Sequence, residues 1–146
     1  MSLQEELLSF ANSVGDMFRR RVAETPDGLA FLDPDRAPEG PNQWTRYTWA
    51  ESRLLVDQLA AGLLARGLSR EQRVGIISTT RLEWILLDLA VACAAGATTT
   101  VYPNTAAGDV EFILDDSGTC IVVVEDATQL AKVEASPTLR AAVHTI

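Results

Sequence analysis

The chain has 146 residues, 47% of them hydrophobic and 22% charged, and its 20 acidic against 12 basic residues give a formal net charge of −8. That length suits one domain with a buried core. The acidic balance excludes nucleic acid and anionic membrane surfaces as partners, since both require a basic patch.

The opening residues Met1-Ser-Leu-Gln-Glu-Glu-Leu7 are acidic and do not read as a signal peptide. Ser13 as N-cap, with Asp16 three residues on, predicts a first helix over residues 14–23. Its basic run Arg19-Arg20-Arg21 points in three directions on a helix and reads as solvated. Thr25-Pro26-Asp27-Gly28 makes a turn. Leu29-Ala-Phe-Leu32 and Gln43-Trp-Thr-Arg-Tyr47 flank a Pro/Gly/Asp-rich loop, which predicts a β-hairpin. Thr48-Trp-Ala-Glu51 is a capping box and opens a long helix. The apolar stripe of that helix is Leu55, Leu59 and Leu63, flanked by Val56 and Leu64, and Gly67 ends it.

From residue 73 the rhythm becomes strand, helix, strand, helix. Val74-Gly-Ile-Ile77 is a short apolar strand, and Thr80-Arg-Leu-Glu83 reads as a capping box for a helix reaching Ala95, stopped by Gly96. That helix is apolar nearly all round, so it belongs inside a larger body. The run 84–97 is too short to span a bilayer and carries Asp88, which also favours a buried helix. Thr98-Thr-Thr-Val101 is a β-branched strand ended by Pro103. Thr105 caps a helix to Asp116, and Gly118 ends it. Cys120-Ile-Val-Val-Val124 is a continuous apolar run typical of a parallel strand covered on both faces. Asp126 caps one further helix, and residues 143–146 begin another strand. The alternation predicts an α/β fold: a parallel sheet with helices on both faces, joined by right-handed crossovers, plus the small hairpin. The ending on a nascent strand predicts a fragment of a longer protein.

Catalytic signatures are scarce. Gly62 and Gly67 have phosphate-loop spacing, but Leu68 and Ser69 follow where Lys and Ser/Thr are needed. No Gly-x-Gly pair exists. The one lysine, Lys132, lies in a helix and reads as part of a solvated face. The one histidine, His144, has no Gly-x-Ser-x-Gly elbow to serve. Capping and solvation account for the carboxylate pairs: Asp33/Asp35 in a turn, Asp115/Asp116 at a helix end, and Glu125/Asp126 beside a cap. Cys93 and Cys120 sit in apolar runs with no ligand partner at metal spacing, which suits reduced, buried thiols in the cytoplasm. Ligands of open parallel sheets bind beyond the carboxyl ends of the strands. Here those ends are Ser78-Thr79-Thr80, Tyr102-Pro103-Asn104-Thr105 and Glu125-Asp126.

Residues 73–118 combine Arg73-Val-Gly-Ile-Ile-Ser78, Glu83-Trp84, Leu87-Asp88, Ala95-Gly96-Ala97, Tyr102-Pro-Asn-Thr105 and Val110-Glu-Phe-Ile-Leu-Asp-Asp-Ser-Gly118. In this combination the chain resembles the N-terminal part of the adenylate-forming (AMP-binding) enzymes, and within them the long-chain fatty acid–CoA ligases. Ser13-Val-Gly-Asp-Met-Phe18 and Tyr47-Thr-Trp49 fit the same family's opening helix and strand-to-helix step. One departure is Ala107-Gly108-Asp109, where the family usually carries a longer polar side chain; Gly108 softens the helix start by up to ~1 kcal/mol.

The resemblance implies activation of a long-chain fatty acid by ATP to acyl-AMP, assisted by magnesium, then acyl transfer to coenzyme A. The phosphate loop ending in Lys, the ribose-binding acid and the lysine of the mobile C-terminal domain are all missing from these residues. The chain alone is therefore expected to be inactive, with no catalytic or metal residues and no cofactor bound tightly, and to partner the remainder of the ligase. An apolar face exposed by the missing part would favour dimerisation. Ser78, Thr79, Tyr102 and Asn104 are the candidates for lining the coenzyme A route. The expected division is an extension over residues 1–12, a helix–hairpin–helix unit over 13–72, and a βαβαβα module over 73–146. The alternatives are an acyl-AMP ligase, an aryl-CoA ligase or a carboxylate-reductase adenylation domain on the same fold, and a stand-alone α/β module that binds a nucleotide or a protein.

Overall fold

A computed structural model of the chain describes residues 11–34 and 44–145, and side chains as far as residue 143. The expectations for residues 1–7, Asp35, Gln43 and the loop between the first two strands lie outside the described residues.

Helix α1 (Val14–Glu24) begins at Ser13, whose Oγ accepts the Asp16 amide at 3.1 Å. The Asp16 carboxylate accepts the Asn12 amide at 3.0 Å, not that of Ser13, so the reciprocal half of the box is displaced by one residue. Strands β1 (Leu29–Asp33) and β2 (Thr45–Thr48) pair antiparallel, as the hairpin reading requires. Asp33, expected in a turn, is the buried last residue of β1. Helix α2 (Trp49–Ala65) carries the complete box: Glu51 N–H donates to Thr48 Oγ1 at 3.2 Å, and Thr48 N–H donates to Glu51 Oε2 at 2.8 Å. Gly67 closes α2 at φ +91°, with Gly67 N–H on the Leu64 carbonyl and Leu68 N–H on that of Leu63. Leu63 and Leu68 are both buried, completing the hydrophobic half of this Schellman cap.

The remainder runs β3 (Arg73–Ile77), α3 (Leu82–Cys93), β4 (Ala97–Val101), α4 (Ala107–Asp116), β5 (Thr119–Val124), α5 (Ala127–Glu134), α6 (Pro137–Ala142) and β6 (His144–Thr145). The strands form one parallel sheet in the order β4-β3-β5-β6. Two cores lie on opposite faces of it. On one face, Val74, Ile76 and Ile121 pack with α3, which in turn meets Phe18 and Val22 of α1 and Val56, Ala60 and Leu63 of α2. On the other, Ile77, Val101 and Val122 pack with Val110 and Leu114 of α4, Val133 of α5 and Leu139 of α6. No residue of α3 is exposed, which explains its apolar character all round.

Several expectations need correction. The buried face of α2 is Ser52, Val56, Ala60 and Leu63; Leu55 is half-buried and Leu59 and Leu64 are exposed. A helix apolar on two flanks offers two candidate faces, and the small Ser52 and Ala60 select the one that approaches α3. Neither Thr80 nor Thr105 is a cap. Helices α3 and α4 start after Arg81 and Ala106 with no side-chain cap bond. The turn after α3 puts Ala95, not Gly96, at positive φ (60°), while Gly96 N–H reaches the Val91 carbonyl. Gly96 is needed for space: a Cβ there would lie 3.1 Å from Val91 Cγ1 and 3.2 Å from Leu68 Cδ2. Helix α6 was not anticipated, although Ser136 caps it and Pro137 fills its first position.

The three arginines of α1 are exposed but each has a separate partner. Arg19 Nη2 donates to the Cys93 carbonyl at the end of α3 (2.9 Å), Arg20 pairs with Asp16 (3.0 Å), and Arg21 lies over the Trp49 ring (5.4 Å). Gly15 brings α1 to backbone contact with α3, because an added Cβ would meet the Ala92 carbonyl oxygen at 2.8 Å. A Gly15→Ala variant is accordingly expected to lose about 1–3 kcal/mol through forced separation of the two helices. Gly108→Ala, in the first turn of α4 with open space around it, is expected to gain about 0.5–1 kcal/mol. Urea unfolding midpoints of the two variants check both signs; an unchanged Gly15→Ala midpoint would contradict the close α1–α3 approach.

Candidate functional site

The chain leaves β3 toward α3 on one face of the sheet and leaves β5 toward α5 on the other. The two loops therefore diverge and open a crevice beyond the carboxyl ends of β3 and β5, the topological switch point of a doubly wound sheet. A cleft of about 270 Å³ lies there, lined among others by Ser78, Arg81, Glu83, Trp84, Val123 and Glu125.

Glu125, at the end of β5, organises this cleft. Its carboxylate accepts the Thr79 amide at 2.7 Å and the Thr79 hydroxyl at 2.8 Å, and Arg81 Nη1 donates to it at 3.3 Å. Arg81 Nε donates in turn to Glu83 at 2.7 Å. The Thr79 amide, its hydroxyl and then Arg81 hold the Glu125 carboxyl below its ordinary value. Glu83 first, and then Glu125, push the Arg81 guanidinium up. An ionised carboxylate that is already fully engaged, beside a doubly paired guanidinium, is not poised to move protons. Among the described residues no group of three His, Cys, Asp or Glu could hold a metal ion. Burial pushes the Cys93 thiol up, away from the reactive thiolate. Both cysteines are free and half-buried rather than fully buried.

The four residues expected to line a ligand route lie on this one sheet edge. Ser78 and Thr79 follow β3, and Tyr102 and Asn104 follow β4, its neighbour. Ser78 lines the cleft, Thr79 is taken up by Glu125, and Tyr102 and Asn104 are exposed, Tyr102 by 79%. Residues 102–105 form a turn closed by Thr105 N–H on the Tyr102 carbonyl. Lys132, read from sequence as solvated, is half-buried against that turn: its Nζ donates to the Pro103 carbonyl at 2.6 Å and to that of Thr105 at 3.0 Å. Sequence reasoning placed Glu125 at a strand end but read it as solvated beside the Asp126 cap, and it missed Arg81 and Glu83 because Thr80-Arg-Leu-Glu83 satisfied a capping pattern. The one available signal was Glu125 itself, the residue directly after β5.

A second, apolar groove of about 500 Å³ shares Glu83, Leu87 and Val123 with the cleft. It is lined by the half-buried Leu55 and exposed Leu59 of α2, by Leu82 and Leu86 of α3, and by Arg66. No helix among the described residues is long and apolar enough to cross a membrane.

Comparison with known proteins decides the family. The family described as AMP-binding enzyme matches residues 18–146. The chain belongs to the AMP-binding enzyme family. Among its relatives there, long-chain-fatty-acid–CoA ligase FadD15 of Mycobacterium bovis is 35% identical over 101 residues, 66% of this chain and 17% of that protein. Long-chain-fatty-acid–CoA ligase heimdall of Drosophila melanogaster is 32% identical over 118 residues, 81% of this chain and 17% of that protein. The chain thus spans about a sixth of the length of these curated relatives. A shorter relative is an uncharacterized protein of Mycobacterium tuberculosis, 28% identical over 110 residues, 75% of this chain and 59% of that protein. In fold, the chain matches a solved fatty acyl CoA synthetase of Mycobacterium tuberculosis with a TM-score of 0.80 at 24% identity, over 91% of this chain and 26% of that one. The αβα layer expected from strand–helix alternation is thus the fold of the AMP-binding neighbours.

Because Glu125 titrates below the ordinary glutamate value of 4.5 in the folded chain, the stability it contributes is present above that value. It is lost as pH falls through the depressed one. Glu125→Gln is expected to flatten the acid limb of unfolding free energy against pH while leaving the limb above neutrality unchanged. Denaturant titrations across that range measure it, and parallel acid limbs for the two proteins would contradict the role given to this carboxylate.

Proposed function

We propose that the chain is the N-terminal αβα segment of a long-chain fatty acid–CoA ligase. The whole enzyme activates a fatty acid with ATP to acyl-AMP, with magnesium, and transfers the acyl group to coenzyme A. The observation that carries this reading is the 35% and 32% identity to two proteins of that name, over most of this chain. The small share of each relative that is matched supports its being one segment of a larger catalytic body.

In this reading residues 13–72 form the outer helical and hairpin unit, residues 73–146 form the sheet module, and residues 1–12 precede both. The segment supplies no reacting group. It contributes a rigid sheet whose carboxyl edge, through Ser78, Thr79, Tyr102 and Asn104, lines the approach of coenzyme A. The apolar groove between α2 and α3 is the seat of the remaining polypeptide, and in its absence becomes the face through which two copies dimerise. The enzyme works in the cytoplasm.

A second reading, a small α/β binding module without ligase activity, is favoured by one observation. The uncharacterized relative is of comparable size, since this chain covers 59% of it.

The native mass separates the two readings. An antibody to this chain is expected to detect a polypeptide several times heavier than 15.8 kDa in its source cells, whereas a band at that mass would favour the module. The isolated chain is expected to release no pyrophosphate from ATP in the presence of oleate. Fatty-acid-dependent release by the chain alone would overturn the assignment of all catalytic groups to the rest of the enzyme.

A further inference from the structure

The cleft and the turn beside it are both held from one place. Glu125, the residue after β5, reaches across the crevice to the loop after β3, taking the Thr79 amide and hydroxyl and Arg81. Lys132, on α5, reaches to the loop after β4, donating to the Pro103 and Thr105 carbonyls at 2.6 and 3.0 Å. The β5–α5 unit thus anchors both loops through two side chains of opposite charge.

The Lys132 ties are both to backbone, whereas Glu125 takes the Thr79 amide together with the Thr79 and Arg81 side chains, and this matters for what the loops present. The turn at residues 102–105 is fixed at the Tyr102, Pro103 and Thr105 carbonyls. Its side chains Tyr102 and Asn104 nevertheless stand in solvent, Tyr102 by 79%. A large aromatic ring on an immobilised turn gains nothing from exposure within this chain. Holding it in place before a ligand arrives reduces the ordering cost of binding. A lysine that bridged water alone would not need to be half-buried with two carbonyls at hydrogen-bond distance.

We propose that Lys132 is a positioning residue for ligand binding at this sheet edge, holding the 102–105 turn so that Tyr102 and Asn104 meet coenzyme A, while Glu125 does the same for the loop carrying Ser78 and Thr79. The proposal rests on the reading that this edge lines the coenzyme route. Neither residue touches the coenzyme; each acts through the loop it ties down.

The test is a coenzyme A titration of the 146-residue chain followed by amide ¹H–¹⁵N spectra, for the wild type, Lys132→Met, Lys132→Arg and Glu125→Gln. Coenzyme A is expected to shift the Tyr102, Asn104 and Thr79 amides of the wild type. Lys132→Met should move the free-state amides of residues 104 and 105 without moving Thr79, and weaken coenzyme affinity by about tenfold, the loss of one well-made hydrogen-bonded contact. Lys132→Arg, which keeps a donor fork, should recover most of that affinity. Glu125→Gln should disturb Thr79 and leave the turn in place. If Lys132→Met moves the turn amides but binds coenzyme as the wild type does, the positioning role is overturned and the coenzyme route stands. If the wild type shows no coenzyme-induced shift, the route itself falls and the positioning role with it. Should Lys132→Met lose its dispersed spectrum, Lys132→Gln, which retains a neutral donor, is judged by the same criterion.

Discussion

Everything in this structure is arranged around a helix that has no side to turn to water. Helix α3 is apolar but for Glu83 and Asp88, and each of its residues is at least half-buried. A helix of that kind must be covered on all flanks or it aggregates. The sheet covers one flank through Val74, Ile76 and Ile121, and α1 and α2 cover the opposite one. That demand accounts for features that look unrelated in sequence. Gly15 lets α1 come down to the backbone of α3, and Arg19 then satisfies the Cys93 carbonyl at the helix end. Ser52 and Ala60 are small where α2 crosses the same helix. Gly96 clears Val91 and Leu68 where the chain turns back into β4.

The other face is built differently. There the sheet is covered by the shorter helices α4, α5 and α6, and Gly75 leaves room for Leu114 to sit directly on β3, since a Cβ would lie 2.7 Å from its Cδ2. The polar ties of this half sit at the carboxyl edge. Glu125 and Lys132 spend their charge on neighbouring loops, leaving Tyr102 and Asn104 exposed on a tied turn and Ser78 in the cleft lining. The apolar groove between α2 and α3 is a seam that this packing closes only in part: among the described residues Leu55 is half-covered and Leu59 is exposed. Membership of the AMP-binding family, with relatives of which the chain spans only 17%, gives that seam a natural reason to exist.

The fold was legible because its signals are local. Capping boxes, glycine stops and the period of apolar residues depend on neighbours within a turn or two. They located α1, α2, β3, β5 and the Gly67 and Gly118 stops, and strand–helix alternation implied the parallel sheet. Local signals failed where two readings shared one pattern. Thr80 with Glu83 matched a capping box, but Glu83 is engaged by Arg81 at 2.7 Å and the helix starts beyond Arg81. Leu55, Leu59 and Leu63 made a regular stripe, but period alone does not say which of two apolar flanks meets the neighbour. The candidate ligand residues were placed at strand ends by a topological rule, and the structure puts those ends on one edge; what binds there is a separate matter of chemistry.

By itself, the sequence determined most of the helices and strands, the class of the sheet and the family it resembles. These follow from periodicity, caps and motif, which are properties of adjacent positions. Only the tertiary structure decided which side chains work as pairs. Thr79 with Glu125, Lys132 with Pro103 and Thr105, and Arg19 with Cys93 are separated along the chain by tens of residues. A lone lysine or glutamate carries no mark of such a partner. The hydrogen-bond range of a charged group is a few ångströms, and only the crossovers of the sheet bring these groups within it.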